Sequence, residues 1–351
     1  MAGVTPRFVP LALVAVALAA CSGGAPGRTA TPSPATPATP ATPATPAAPT
    51  PAARRFVEPF TDVDPLTGLH PRRRGPVVAL KVDNEALARP YQRGLDHAAV
   101  VYQELMEGGS TRLLALFDDQ SRAEVGPIRS VRESDIELLR EFGHVAVGFS
   151  GANRGVKATF RRAVASGWAQ DASYDAVPRA YRIGEHRPDA NNFFTTPGAL
   201  AAARPTSSPS RDIGLRFSTA APAGPATRSA TASFSGGSTV RLVYDAAAKR
   251  YAVYQDGRRM QGVAPSNVVV QLVSARGSAY VDVLGHGTPY TVTTGGGRAV
   301  VLRDGRRVDG HWSRQGFART RFTTTAGADV PLRPGSTWVL LLPAKRPLTF
   351  G

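Results

Sequence analysis

The sequence has a single cysteine, at position 21, and none after it. A body built from the residues that follow has no disulfide and no thiolate metal ligand, so it must fold on its own apolar core. Lysine is scarce too: Lys81, Lys157, Lys249 and Lys345 are the only ones, and the rest of the cationic charge is arginine. Long apolar runs are missing. None reaches the roughly 18 to 20 residues that a membrane-spanning helix requires. No glycine-rich phosphate loop ends in Lys-Ser or Lys-Thr. The 6 histidines are scattered, without the four-residue spacing that sets two ligands on one helix face. These absences argue against a structural zinc site and a nucleotide-phosphate loop, and no cofactor or metal is expected.

What is present begins at the first residues. Arg7 precedes an apolar stretch from Phe8 to Ala20, which is too short to span a bilayer and has the length of an export signal's hydrophobic region. It ends in Leu18-Ala19-Ala20-Cys21, small residues followed by a thiol, the pattern of a lipobox. The expectation is a signal peptide over 1–20, removed before Cys21, with lipid on that cysteine. At least two acyl chains then give a stable anchor, since one alone is marginal. The protein is expected at the cell membrane, lipid-anchored and facing the extracytoplasmic side. Residues 21–55 are rich in Ala, Thr and Pro, with repeats of Ala-Thr-Pro, and hold too little bulky apolar surface to fold. They read as a semi-rigid spacer reaching at most roughly 100 Å. The formal net charge is +16. Such a balance draws a protein toward anionic lipids and wall polymers, although a GC-rich genome also favours arginine codons. Export separates the protein from nucleic acid, which is not an expected partner.

The remaining chain divides by composition. Residues 56–205 mix short apolar runs with amphipathic ones. Val77 to Val82, Ala98 to Leu105, Arg112 to Phe117 and Val145 to Phe149 read as strands, the second and third joined by a turn at Gly108-Gly109-Ser110. Ser130 to Phe142 and Val156 to Ala165 read as helices, the latter stopped at Gly167. This predicts an α/β or α+β domain with a mixed sheet. Residues 206–238 are dominated by Pro, Ser, Thr, Ala and Gly and read as a linker, with an apolar piece near Ile213 to Phe217 docking onto the first domain. Residues 239–351 predict a smaller, mostly antiparallel all-β domain. Its β-prone runs are Val240 to Tyr244, Tyr251 to Tyr254, Asn267 to Val273, Tyr280 to Val283, Ala299 to Leu302, Arg307 to Trp312 and Thr337 to Leu342. Asp256-Gly257, Asp304-Gly305 and Asp309-Gly310 read as hairpin turns between them. Trp312 and Trp338 read as core residues rather than sugar platforms.

A series of short motifs runs through both parts: Pro65-Leu66-Thr67-Gly68-Leu69, Lys81-Val82-Asp83-Asn84, Ala88-Arg89-Pro90, Glu107-Gly108-Gly109, Gly126-Pro127-Ile128-Arg129-Ser130, then Gly310 to Trp312, Pro334-Gly335 and Trp338. In this order they resemble the YerB-like family of bacterial lipoproteins. The resemblance covers nearly all of the chain past the spacer. It implies a two-part architecture and a cell-surface location, and it implies no reaction. Where relatives tend to carry a histidine, this chain has Asn191, followed by Asn192 and Phe193. A family-wide histidine chemistry therefore does not transfer here.

Polar residues gather where strands are expected to end. Asp83 and Asn84 follow one strand, Glu104 and Glu107 close another, and Arg112 opens the next. Arg89, Arg129, Ser130, Arg132 and Asn192 complete the candidate set. Ligands commonly bind at strand ends in α/β sheets, and arginines grip carboxylate or phosphate with two parallel bonds. Three readings stay open. The first is binding of an envelope component: a wall fragment, an anionic polymer or a lipid headgroup. The second is a hydrolase or transferase acting on envelope material, with Glu104 or Glu107 and Asp83 as acid and base. The third is a salt-bridge network inside a structural partner of an envelope protein complex. The stretch Gly148-Phe149-Ser150-Gly151-Ala152, with Asp175 and His186 after it, has a nucleophile-elbow outline but too little chain around it. A plain strand-to-helix turn, with Ser150 or Asn153 as helix cap, is the simpler reading.

Overall fold

The computed structural model describes residues 63–70, 75–187, 190–281 and 285–351. The expected signal peptide, Cys21 and the spacer lie outside the described residues, as does the side chain of Asn191. In chain order the first part contains β1 (Val78–Asp83), β2 (Val100–Leu105), β3 (Thr111–Phe117), β4 (Val125–Ile128), α1 (Glu133–Leu138), β5 (Val145–Gly148), α2 (Arg154–Ala165), β6 (Ala169–Asp171), β7 (Tyr181–Arg187), β8 (Ala190–Thr195) and α3 (Pro197–Ala203). The second part is made of strands: β9 (Ser229–Ser235), β10 (Ser238–Asp245), β11 (Arg250–Gln255), β12 (Arg258–Arg259), β13 (Asn267–Val273), β14 (Ala275–Val281), β15 (Gly287–Thr291), β16 (Gly295–Arg303), β17 (Arg306–Arg314), β18 (Arg321–Thr324), β19 (Thr337–Pro343) and β20 (Leu348–Phe350). The first part is thus α/β on a mixed sheet and the second mostly antiparallel β, as the patterning predicts.

The two parts share one sheet. Its order is β18-β17-β16-β13-β19-β2-β3-β1-β4-β8-β7, with β5 beside β1 and β6 beside β5. The join is β19, which runs parallel to β13 on one side and to β2 on the other. Its sequence Thr-Trp-Val-Leu-Leu-Leu-Pro is buried along all but its last residue. An unbroken apolar run is what a central parallel strand, covered on both faces, needs. One face of the sheet packs under α1 and α2 through Leu114, Leu116, Phe142, Phe160, Val269 and Val339. The other face packs against a five-stranded sheet, β12-β11-β10-β9-β20, through Val82, Leu113, Val270, Leu340, Phe234 and Leu242. Each apolar layer draws on both parts, and Pro59–Gly351 forms one compact unit.

Three local expectations are corrected. Residues 206–238, read as linker, contain β9, whose inward residues Ala230, Ala232 and Phe234 are buried. The apolar piece inside it buries Ile213 and Leu215, but its backbone bonds run to Leu332 of the second part. Asp309-Gly310 is no turn: both residues lie inside β17, opposite Val300 and Ala299. A Cβ on Gly310 would come within 2.0 Å of the Thr323 carbonyl oxygen, so this glycine serves close strand approach. The other two dipeptides do turn, with positive φ at Asp256, Gly257, Asp304 and Gly305, as two-residue hairpins require. Gly126-Pro127 lies within β4. Of the expected strand Tyr280 to Val283, residues 282–284 lie outside the described ones.

Beneath α1 a buried pair closes the join between the parts. Arg314 of β17 is 3.0 Å from Glu141, whose carboxylate also accepts the Thr320 backbone N–H at 3.2 Å and its hydroxyl at 2.9 Å. Burial pushes the Glu141 carboxyl up to about 7, against the pull of Arg314 and Thr320. A folded value raised above the unfolded one gives stability that is full at low pH and is lost as pH rises through about 7. The body should therefore melt a few degrees higher at pH 5 than at pH 8. Scanning calorimetry on Glu141→Gln should show a flatter profile, and an unchanged slope would rule this group out as its source.

Candidate functional site

Strand register places Glu104, Arg112 and Asp83 side by side on β2, β3 and β1. All three project from the helix-facing side of the sheet, because alternate residues share a face. Asp83 has no exposed surface. Its Oδ2 accepts Arg129 Nε at 2.7 Å and its Oδ1 accepts the Glu85 backbone N–H at 3.1 Å, with Arg112 Nη2 at 3.8 Å. Burial alone would raise this carboxyl, but Arg112 and Arg129 outweigh it and the group stays below the usual range. Arg112 is 5% exposed and donates one hydrogen bond, from Nη2 to Glu85 Oε1 at 2.7 Å. Its buried Nε has no partner among the described residues. Arg129 likewise spends only Nε, leaving its two terminal nitrogens uncommitted among the described residues.

Two further charged groups flank this one. Lys81, fully buried on β1, donates from Nζ to Glu104 Oε1 and to Asp135 Oδ1, the latter at 2.6 Å. Burial raises the Glu104 carboxyl and Asp135 adds to the rise, while Lys81 opposes both. Arg132 grips Glu107 in a fork, with Nε and Nη2 each 3.0 Å from its oxygens, and Thr288 of β15 adds a hydroxyl bond at 2.7 Å. Burial of Glu107 is offset by Arg132 and then Thr288, so this carboxyl sits low. Asp135 bridges the groups by accepting the Arg132 backbone N–H at 2.7 Å. Lys81 and Asp135 were absent from the candidate set. The available signal was a lysine inside an apolar strand, which has to find a carboxylate when buried.

The other candidates divide. Ser130 forms a backbone bridge to Gly151, and its carbonyl accepts Arg132 Nη1 at 3.2 Å. Asn192 is buried on β8, opposite Gly184 of β7. Asn84 and Arg89 serve the opposite face. Asn84 Nδ2 donates to Thr111 Oγ1 at 2.7 Å and to Gln255 Oε1 at 3.2 Å. Arg89 reaches the Gln255 carbonyl at 3.1 Å and Asp256 at 2.7 Å. Gln103 joins Gln255 to Trp338, whose indole N–H it accepts at 3.1 Å. That network ties the second part to the first and is not part of the charged cluster. Ser150 donates its hydroxyl to the Ile128 carbonyl at 3.0 Å, and Asp175 pairs with Lys157 at 3.0 Å. Neither bond makes a nucleophile, and the His186 side chain lies outside the described ones. Asn153 caps α2, accepting the Val156 N–H at 2.8 Å.

The cluster is therefore a graded arrangement. Glu104 and Glu107 each hold a cation of their own, Lys81 and Arg132. At the centre, one buried carboxylate orients two arginines that, among the described residues, retain unused donors.

Residues 66–210 match the family model described as "Protein of unknown function (DUF3048) N-terminal domain", and residues 230–339 match that of its C-terminal domain. The "Putative lipoprotein YerB" of Bacillus subtilis (strain 168) is 44% identical over 87 residues, which are 24% of this chain. That match spans 26% of the relative's length. The crystal structure of the YerB protein from Bacillus subtilis has the same fold, with a TM-score of 0.69 at 24% identity, covering 82% of this chain and 100% of the other.

Proposed function

Since the chain belongs to the DUF3048 family through both of its parts, we propose that it is a lipid-anchored protein that binds an anionic component of the cell envelope. The anchor is lipid on Cys21 after removal of residues 1–20, and the body faces the extracytoplasmic side. The lipobox sequence and the lipoprotein name of the Bacillus subtilis relative support this. The ligand contributes a phosphate or carboxylate group from a wall fragment, an anionic polymer or a lipid headgroup.

The observation that carries the binding reading is the pair Arg112 and Arg129. A guanidinium offers five N–H donors, and among the described residues each arginine spends one nitrogen on the protein. A buried donor left unsatisfied costs about 1–3 kcal/mol. An anion seated between the two guanidiniums satisfies those donors with charge-assisted bonds. Asp83 keeps both in place without occupying them. Lys81 with Glu104, and Arg132 with Glu107, act as supports that fix the strands around the pair.

The test is thermal stability of residues 22–351 with inorganic phosphate, glycerol 3-phosphate and soluble muropeptides, since a ligand of the folded state raises the melting point by mass action. At least one probe should shift it. Arg112→Gln and Arg129→Gln should each weaken that probe's affinity by about tenfold or more, the worth of a charged hydrogen bond. No shift with any probe, or a shift that survives both substitutions, would sink the reading.

A further inference from the structure

A second arginine-rich feature lies on the outer side of the helical layer, away from Asp83. Arg140 is held between two aromatic rings, with its guanidinium carbon 3.9 Å from the Trp168 ring centre and 4.0 Å from that of Phe317. Stacking on both faces is a favourable use of a weakly hydrated guanidinium. It leaves only the in-plane edge for hydrogen bonding. Among the described residues that edge donates to no protein group, and Nε is buried without a partner. Phe317, in the turn between β17 and β18, is the most exposed of the large apolar side chains among the described residues, at 66%.

The surroundings are cationic. Arg211 is tied to this spot by 2.7 Å bonds to the carbonyls of Arg140 and Glu141. Arg319 follows Phe317 closely in the same turn. The helix α2, which leads to Trp168, contains no acidic residue. The nearby acids are already engaged: Glu141 is buried with Arg314, Glu137 accepts the Tyr290 hydroxyl, and Asp212 pairs with Arg216 and Arg319. An anionic partner suits the charge. A soluble polyanion has no use for a protruding phenyl ring, whereas a bilayer offers phosphate at its surface and apolar depth below it.

We infer that this face docks on an anionic phospholipid surface, with Phe317 entering the headgroup layer and the Arg140 edge taking a lipid phosphate. This contact is separate from the Asp83 cluster and from the acyl anchor.

The experiment uses non-acylated residues 22–351 and vesicle sedimentation. One vesicle set is an equal mixture of phosphatidylglycerol and phosphatidylcholine; the other is phosphatidylcholine alone. Binding should favour the anionic vesicles and fall with added salt. Phe317→Ser and Arg140→Gln should each lower that binding by about fivefold, the effect of roughly one basic residue at such a surface. Phe317→Leu should restore most of it, and melting points should hold. Equal binding to both vesicle sets, no binding to either, or unchanged binding by both Phe317→Ser and Arg140→Gln would overturn the inference. So would full competition by a soluble glycerol phosphate polymer that binds Phe317→Ser as well as the parent.

Discussion

Lys81→Met should cost the body about 3–5 kcal/mol of stability, the usual loss when one partner of a buried ion pair is removed. The ammonium it deletes is fully buried and serves two carboxylates, Glu104 and Asp135. Asp135 keeps its bond from the Arg132 backbone. Glu104 loses the one cation it pairs with among the described residues, in a buried site, and methionine fills the space without supplying a donor. The damage should depend on pH. Burial and Asp135 already raise Glu104, and Lys81 is the group that holds it down. Without Lys81 the carboxyl rises further, so its contribution is kept at low pH and lost as pH climbs. Urea unfolding of Lys81→Met should show a smaller deficit at pH 5 than at pH 8, and adding Glu104→Gln should recover part of the loss. A variant that matches the parent at pH 8 would show that the triad does not support the sheet.

Trp338→Ala should be comparably severe, at about 3–5 kcal/mol, as for other large aromatic truncations in a core. Trp338 is 1% exposed in β19 and gives its indole N–H to Gln103 of β2. The substitution opens a cavity at the join and leaves Gln103 Oε1 without that donor. Both parts should weaken together. The chain has 3 tryptophans, so the variant retains Trp168 in the first part and Trp312 in the second as reporters. Their fluorescence transitions in urea should coincide in the parent and in Trp338→Ala, both moved to lower urea in the variant. Separate midpoints for Trp168 and Trp312 would show that the shared sheet does not couple the parts.

Much of this fold is readable from local chemistry. Apolar runs such as Val77 to Val82 and Asn267 to Val273 match strands almost residue for residue. Asp304-Gly305 turns the chain because both residues tolerate the positive φ that a two-residue hairpin needs. Asp309-Gly310 carries the same letters and misleads, since nothing local tells a turn glycine from one that admits a neighbouring strand. β9 hides in a linker-like stretch because its inward side chains are mostly alanine, too small to mark an alternation. The central cluster of Asp83, Arg112 and Arg129 was legible, since charges at strand ends have to converge. Asn84 and Arg89 were assigned to the same group although they follow the opposite face. The place of β19 could not be read. A pairing between Gln103 and Leu340 leaves no local mark, and the unbroken apolar sequence says only that some central position awaits it.

That position has a consequence for how the chain is made. β2 and the Trp338 that caps its network lie 235 residues apart. As the polypeptide emerges, the edge of β2 presents open N–H and carbonyl groups, the kind of edge that recruits other chains, until β19 is out. Sheets closed by such distant pairings form slowly. A stop anywhere before residue 337 leaves that edge bare, so a truncated product is an aggregation hazard rather than a working fragment. Synthesis and transport must therefore carry the body to completion before any part of it is safe from its neighbours.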